Sequence, residues 1–200
     1  MTEYYFDIET WDPNASGRPD PKKGQVIVVA YQPMSFGMPR GDLQIKSAWA
    51  GGGEKTVLQH VLDLGVFDCG PRCFDFVPVG TNLTFDFAFL MERMHLTGVR
   101  RFGREEVLEI LREKPRIDIK TTLLLMNDGK FKGSGLDSFT RLKRSGGVAV
   151  LKLWERKDYL AIEEYVRSDA AGFFDVYQKI LPTLLEFGRK VRPPEKKSRT

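Results

Sequence analysis

The sequence predicts one α/β domain built on a mixed β-sheet, and two observations support this fold class. Three apolar segments typical of strands follow one another in the first quarter of the chain. Helical and strand-like segments then alternate, as they do where helices cross over a sheet. With 200 residues, of which 42% are hydrophobic, the chain can form one sizeable core. We expect a five-stranded mixed sheet flanked by helices on both faces.

The expected strands are short runs of apolar, β-branched and aromatic residues bounded by turn-forming residues. They cover residues 3–8, 25–31, 42–49, 74–79 and 115–119. The first three are close enough in sequence to form a meander. The first also ends in two acids at alternate positions, Asp7 and Glu9.

The expected helices show apolar residues at helical spacing or follow a residue suited to a helix start. They cover residues 54–64, 87–94, 104–112, 135–142 and 158–187. The first follows three consecutive glycines and connects the meander to the remaining strands. Since no linker interrupts this order, we assign residues 1–187 to one domain.

The formal charge of +4 is unevenly distributed. Between residues 188 and 200, six basic residues and one acid give a charge of +5, which leaves −1 for the rest of the chain. This segment has almost no apolar residues, so we expect a disordered basic tail that contacts phosphates or a protein partner, or is simply solvated. No apolar run approaches a membrane span and no signal sequence is evident, so we expect a soluble, cytoplasmic protein without a membrane partner.

The two cysteines, Cys69 and Cys73, lie close together in sequence, and the chain has only two histidines. A structural zinc site is not expected, because zinc requires four nitrogen or sulfur ligands at suitable spacing. Two reduced thiols are favoured over a disulfide across this turn.

Three groups of residues are candidates for chemistry. Asp7 and Glu9 leave the same face of a strand, which allows two acids to share one metal ion. Asp86 follows a strand and a turn and is expected to cap a helix. Tyr165 and Asp169 lie one turn apart on one helical face. Each group alone has an ordinary structural explanation, and an exposed acid pair at a strand end is common.

Together these groups resemble the DEDD superfamily of 3′-to-5′ exonucleases. The motifs Phe6-Asp7-Ile8-Glu9-Thr10, Asn82-x-x-Phe85-Asp86 and Tyr165-x-x-x-Asp169 occur in the order found there. The third resembles the tyrosine branch, and all three resemble the proofreading exonuclease domain of family B DNA polymerases, as does Leu136-Asp137-Ser138. The resemblance spans roughly residues 3–180 and implies a ribonuclease H-like fold. Without the flanking polymerase regions, the chain is expected to be a stand-alone exonuclease.

The resemblance implies a site for two divalent cations, Mg²⁺ or Mn²⁺, about 3.5–4 Å apart. It implies that Asp7 bridges both ions and that Glu9 and Asp169 complete the site of the ion holding the attacking water. Asp86 is then expected to reach the second ion, directly or through water. Carboxylates without cysteine or histidine suit these cations.

The resemblance also implies roles for uncharged residues. Tyr165 is expected to orient the attacking water, since an unperturbed phenol pKa of about 10 makes it a poor general base. Thr10, Asn82 and Phe85 are expected to hold the terminal nucleotide. Phe85 or Trp11 would stack on an unpaired base, although core packing is an equal alternative for Phe85.

The sequence therefore predicts an enzyme that hydrolyses phosphodiester bonds at single-stranded 3′ ends and releases nucleoside monophosphates. Its expected partner is nucleic acid with a free single-stranded 3′ end. DNA is favoured, and an RNA-trimming enzyme with the same site is the nearest alternative. A non-catalytic, nucleic-acid-binding accessory subunit would typically have lost some of the acids. A ribonuclease H-type endonuclease or junction resolvase would not explain the pairing of Tyr165 with Asp169.

Overall fold

The computed structural model describes residues 2–13, 19–140 and 148–191 of the chain. Within these ranges the backbone forms six strands and six α-helices. The strands are β1 (Glu3–Trp11), β2 (Gln25–Ser35), β3 (Met38–Pro39), β4 (Gln44–Ser47), β5 (Val77–Gly80) and β6 (Ile117–Asp118). The helices are α1 (Gly53–Asp63), α2 (Leu83–Thr97), α3 (Arg104–Glu113), α4 (Lys120–Met126), α5 (Val148–Glu155) and α6 (Tyr159–Val191).

The strands form one mixed sheet with β1 at its centre. β1 pairs antiparallel with β2 and parallel with β5, which in turn pairs parallel with β6. β3 and β4 both pair antiparallel with β2, at different points along its outer edge. The described strands therefore occupy five positions across the sheet, and the predicted five-stranded mixed sheet is confirmed.

The ladder between β1 and β2 contains a bulge beside the two acids. Glu9 lies opposite Val28, but Thr10 lies opposite Val26, which leaves Ile27 as an extra residue on β2. As a result, Ile27 and Val28 are consecutive in sequence yet belong to the same core cluster. The bulge alters the local direction of the strands at the end of β1.

Helices cover both faces of the sheet, as predicted. On one face, the sheet packs against α4, α5 and α6 through one cluster of buried residues. The cluster includes Tyr5, Ile27, Ala30 and Val79 from the sheet and Leu123, Val150, Ile162 and Phe173 from the helices. On the other face, buried residues pack against α1, α2 and α3; among them are Phe6, Ile8, Val29, Leu58, Val61, Leu83, Phe87, Leu90 and Ile110. The sheet is thus the middle of three layers.

Several predicted strands are shorter than expected. The strand predicted at residues 74–79 begins only at Val77, because the Asp75 amide donates to the Arg72 carbonyl at 3.0 Å in a turn. The strand predicted at residues 42–49 is limited to Gln44–Ser47, and a 3-10 turn over Ala48–Ala50 follows. β6 retains two of the five predicted residues.

The predictions of helices were wrong in four places. Of the helix predicted at residues 135–142, the described part is a 3-10 turn over Leu136–Ser138, and residues 141–147 lie outside the described residues. α4 and α5 were not predicted, since adjacent threonines in α4 and valines in α5 are weak helix formers. α2 begins at Leu83, four residues earlier than predicted.

α6 is the longest helix, with 33 residues, and it continues through Val191. The first four residues of the predicted basic tail are therefore helical, while residues 192–200 lie outside the described part. Despite this length, none of the described helices, α6 included, is apolar enough to cross a membrane.

Cys69 and Cys73 flank a 3-10 turn over Gly70–Arg72, and both are free thiols, as predicted. The buried Lys114 holds this loop, because its Nζ donates to the carbonyls of Gly65 at 3.0 Å and Cys73 at 3.1 Å. Burial lowers the pKa of Lys114 and raises the pKa of Cys69. The loop is thus anchored to the end of α3 by a lysine.

Candidate active site

The side chains of β1 alternate between the two faces of the sheet. Phe6 and Ile8 are buried in the core beneath α1 and α2, whereas Tyr5 is buried beneath α6. Asp7 and Glu9 lie two and four residues after Tyr5 and therefore share its face of the sheet. Both are half-buried on this α6 face. The acid pair of the first motif therefore lies on the face that α6 covers.

α6 brings Tyr165 and Asp169 to this pair. The ring of Phe173 lies 5.0 Å from the ring of Tyr5, which fixes α6 over β1. One turn earlier in the helix, Asp169 lies beside Asp7. Since Phe173 is level with Tyr5 and Asp169 is level with Asp7, α6 runs antiparallel to β1.

Three carboxylates converge at this point. Asp7, Glu9 and Asp169 each offer one oxygen, and these oxygens lie within 4.8 Å of one another. A cavity of about 210 Å³ adjoins the cluster. Its lining residues are Tyr5, Asp7, Thr81, Leu136, Asp137, Tyr165, Asp169 and Phe173. The first and third sequence motifs and the turn at Leu136 thus meet at one cavity.

Asp86 is not the N-cap of α2, contrary to prediction. The N-cap is Asn82, and Asp86 lies within the first turn of the helix. Its side chain is buried, and its Oδ2 has no hydrogen-bond partner among the described residues. Burial raises the pKa of Asp86 well above its usual value, and the negative charges of Asp7 and Asp118 raise it further. The fourth acid is therefore electrostatically linked to the cluster through Asp7.

Asp118, at the end of β6, was missed from the sequence. Its Oδ1 accepts the amides of Asn82 at 2.7 Å and Lys120 at 2.9 Å. It thereby connects β6 to the start of α2, where Asn82 has a left-handed φ of 67°. The position of this acid at the end of the strand predicted at residues 115–119 was the available signal, because the carboxyl ends of parallel strands meet at one edge of a sheet.

Tyr5 and Thr81 were also missed. The Tyr5 hydroxyl donates to Asp7 Oδ2 at 3.4 Å, a long hydrogen bond, and its ring is buried. The Thr81 Oγ1 is buried and has no hydrogen-bond partner within the described residues. Both side chains line the cavity. The position of Tyr5 two residues before Asp7 on a strand was a usable signal.

The three predicted substrate-binding residues lie in three different environments. Thr10 follows Glu9 at the bulge, and Asn82 is exposed at the start of α2. Phe85 is half-buried, with its ring 5.6 Å from that of Phe89 and packed against the core beneath α2. Packing therefore accounts for part of the Phe85 ring, and none of the three lines the cavity.

The arrangement fits hard divalent cations. The cluster offers only carboxylate oxygens, which Mg²⁺ and Mn²⁺ prefer. Three carboxylates this close repel one another unless a cation or protons compensate them. Asp86 is not one of the three acids whose oxygens lie within 4.8 Å of one another. Its buried Oδ2 has no hydrogen-bond partner among the described residues and its charge interacts with that of Asp7, so it is a candidate for a further ligand.

The mixed sheet with helices on both faces is a ribonuclease H-like α/β fold. A solved structure with this fold is the family B DNA polymerase from the hyperthermophilic archaeon Pyrobaculum calidifontis, which matches with a TM-score of 0.62 and 22% sequence identity. The match covers 92% of this chain and 25% of that chain, so this chain spans about a quarter of the polymerase's length. No family model matches the sequence, and neither does any curated protein.

Proposed function

We propose that this protein is a metal-dependent 3′-to-5′ exonuclease that acts on single-stranded ends, with DNA favoured over RNA. The observation that carries the proposal is the convergence of Asp7, Glu9 and Asp169, with Tyr165 lining the same cavity. The buried Asp86 adds a fourth acid beside Asp7. This is the set of residues on which the resemblance to the tyrosine-branch exonucleases depends.

The carboxylates have the task of holding the cations. Asp7, Glu9 and Asp169 offer oxygens close enough to share one ion, and Asp86 extends the ligand set. When bound there, two divalent cations would lower the pKa of the attacking water and would stabilise charge on the attacking and leaving oxygens. The Tyr5 hydroxyl donates to Asp7 Oδ2 and restrains the orientation of that carboxylate.

Tyr165 positions the attacking water by hydrogen bonding. It lines the cavity together with Asp7 and Asp169, and its helix is fixed over β1 by packing. A phenol whose ordinary pKa is about 10 is protonated at neutral pH and serves as a donor rather than a base. Its contribution is therefore to orientation.

Contacts to the terminal nucleotide are proposed to be made by a few residues close to the acids, because residues 1–187 carry almost no net charge. Thr10 at the bulge and Asn82 at the start of α2 flank the acids in the sheet and are proposed to hold the terminal nucleotide. The partly exposed ring of Phe85 would stack on its base. The preference for DNA rests on the likeness of the second motif to that of the polymerases.

The test is incubation of the protein with 5′-labelled single-stranded DNA, duplex DNA and RNA in Mg²⁺ or Mn²⁺. A ladder that shortens from the 3′ end of single-stranded DNA, and disappears in Asp7→Ala, is the expected result. The matched control is Asp63→Ala, which removes an exposed acid of α1 on the opposite face and should leave the ladder intact.

Each rival function predicts a different pattern. Faster shortening of RNA than of DNA would replace DNA with RNA as the substrate. Internal cuts would indicate an endonuclease, and binding without hydrolysis would indicate an accessory subunit. Hydrolysis that persists in Asp7→Ala would overturn the proposed site.

A further inference from the structure

An aromatic cluster lies outside the cavity, formed by Trp49, Trp154 and Tyr159. Trp49 and Tyr159 are stacked, with ring centroids 4.9 Å apart and planes at 4°. Trp154 lies 6.0 Å from Trp49 and 5.8 Å from Tyr159. The three come from the turn after β4, from α5 and from the start of α6, and each ring is only half-buried.

The direction of α6 places this cluster relative to the acids. α6 is antiparallel to β1, so its N-terminal end extends beyond the C-terminal end of β1. Tyr159 precedes Asp169 by ten residues, which corresponds to about 15 Å along a helix at about 1.5 Å per residue. The cluster therefore lies beyond the carboxylates in the direction of Trp11.

The pairing register of β4 also places Trp49 at this end of the sheet, and this evidence does not depend on the direction of α6. Ser47 pairs with Val28, and Val28 pairs with Glu9, so β4 ends level with the acid pair. Trp49 lies two residues further on and packs against the core on the α6 face. Trp11, two residues beyond Glu9, packs against the same core.

Three exposed cations are neighbours in sequence of Trp154 and Tyr159. Lys152, Arg156 and Lys157 are exposed on α5 and in the turn before α6, and none of them forms an ion pair with a described residue. Two acids, Glu155 and Asp158, lie among them. The Asp158 carboxylate accepts the Ala161 amide at 3.3 Å and caps α6. Aromatic rings interleaved with cations are typical of single-strand binding surfaces, where bases stack and phosphates are neutralised.

We propose that the aromatic cluster and these three cations bind the single strand on the 5′ side of the nucleotide being removed. This proposal rests on the proposed function, because the 3′ end defines where the strand begins. A separation of about 15 Å corresponds to four or five nucleotides stacked at about 3.4 Å each. The surface therefore contacts a DNA strand of about twelve nucleotides but is beyond the reach of a trinucleotide whose 3′ end is in the cavity.

The first experiment compares kcat/KM for a single-stranded DNA 12-mer and a trinucleotide in Mg²⁺. The variants are Trp154→Leu and the triple variant Lys152→Gln, Arg156→Gln, Lys157→Gln. We expect kcat/KM for the 12-mer to fall tenfold or more through KM, and that for the trinucleotide to fall less than twofold. Equal losses for both lengths, or no loss for the 12-mer, would overturn the proposal.

A charge-matched control separates this surface from general attraction of DNA. The control variant Lys55→Gln, Arg101→Gln, Arg112→Gln removes three exposed cations on the side of α1 and α3. It should change KM for the 12-mer less than twofold. A loss as large as that of the first triple variant would overturn the assignment to the aromatic cluster.

The second experiment measures binding of a fluorescent 12-mer in EDTA, where no hydrolysis occurs. The slope of log K against log salt should decrease in magnitude by about 2 in the first triple variant, at about 0.7 per phosphate contact. An unchanged slope and affinity would overturn the proposal. If the wild-type protein binds the 12-mer in this way but hydrolyses nothing in Mg²⁺, the proposed function fails while the binding surface stands.

Discussion

Glu54 and Arg93 form a bidentate ion pair that also supports the irregular end of β2. Arg93 Nε and Nη2 lie 2.8 and 2.6 Å from the two Glu54 oxygens, and Glu54 Oε1 also accepts the Val26 amide at 2.8 Å. Arg93 Nη1 donates to the Pro21 carbonyl at 2.9 Å. Because Val26 lies opposite Thr10 at the bulge, this pair anchors the strand end beside the acids.

Glu54→Ala should destabilise the protein by about 3 kcal/mol, because it leaves a mostly buried guanidinium and the Val26 amide without partners. The side chains of Arg93 and Glu54 are only 14% and 10% exposed. Urea unfolding measures the change. The control is Arg72→Ala, whose side chain is 75% exposed in its ion pair with Asp68 and should contribute less than about 1 kcal/mol. Equal losses would contradict the anchoring role of the buried pair.

Asp118→Ala should lower stability by about 1–2 kcal/mol, because the amides of Asn82 and Lys120 lose their shared acceptor. Asp118→Asn keeps an acceptor oxygen and should lose less than half of that. Thermal unfolding gives both values. If the two variants are equally destabilised, the charge of Asp118 matters more than the two hydrogen bonds.

Asp86→Asn should stabilise the metal-free protein by about 1–3 kcal/mol, because a neutral amide avoids the cost of a negative charge at this buried position. The substitution removes a buried charge beside Asp7 and Asp118, which is also the reason that the pKa of Asp86 is raised. Unfolding in EDTA measures the gain. With Mn²⁺, the same variant should gain less stability from the metal than the wild type. A metal-free variant that is less stable than the wild type would contradict this.

Tyr165→Phe should lower kcat by about ten- to a hundredfold, because the variant keeps the ring but loses the hydroxyl that we propose orients the attacking water. Its thermal stabilisation by Mn²⁺ should be unchanged, since the proposed cation ligands are carboxylates and not Tyr165. Tyr4→Phe is the matched control, because Tyr4 stacks on Phe76 at 4.3 Å on the other face of the sheet. Full activity in Tyr165→Phe would exclude the positioning role.

Phe36→Asn should raise stability by about 1 kcal/mol, because Phe36 occupies the left-handed region at a φ of 51° and is 89% exposed. Phe36 and Gly37 form the two-residue turn between β2 and β3, where Asn-Gly is the favoured pair. Urea midpoints measure the gain. Gly37→Ala should be destabilising, because Gly37 has a φ of 75°, which disfavours a Cβ, and the Cβ would also displace Leu181 Cδ2 at 2.6 Å. A gain in that variant would show that the turn relaxes easily.

The sequence predicted the acid pair of β1 well, because the alternation of Phe6, Asp7, Ile8 and Glu9 is a local property of one strand. It could not predict the bulge, since residues 25–31 are apolar at almost every position and give no sign of where the register shifts. The bulge is accompanied by a carboxylate from α1, that of Glu54, which hydrogen bonds to Val26. A contact between residues so far apart in the chain produces no periodic pattern in the sequence.

The start of α2 was mispredicted for a similar reason. Aspartate is a good helix cap, so local propensity favoured a helix beginning after Asp86. The carboxylate of Asp118 instead accepts the Asn82 amide, and α2 begins one turn earlier. Asp86 is consequently buried. Its Oδ2 has no hydrogen-bond partner among the described residues, whereas the carboxylate of a capping residue would accept a backbone amide.

β1 contributes both core residues and the two acids, at alternating positions of one short strand. Inserting or deleting a single residue within it would send the acids into the core beneath α1 and α2 and bring aromatic rings to the site. Evolution could therefore exchange individual side chains in this strand but could hardly change its length. Any descendant that kept the fold would keep two positions facing α6 at the same spacing, so the protein could lose its acids without losing the geometry needed to regain them.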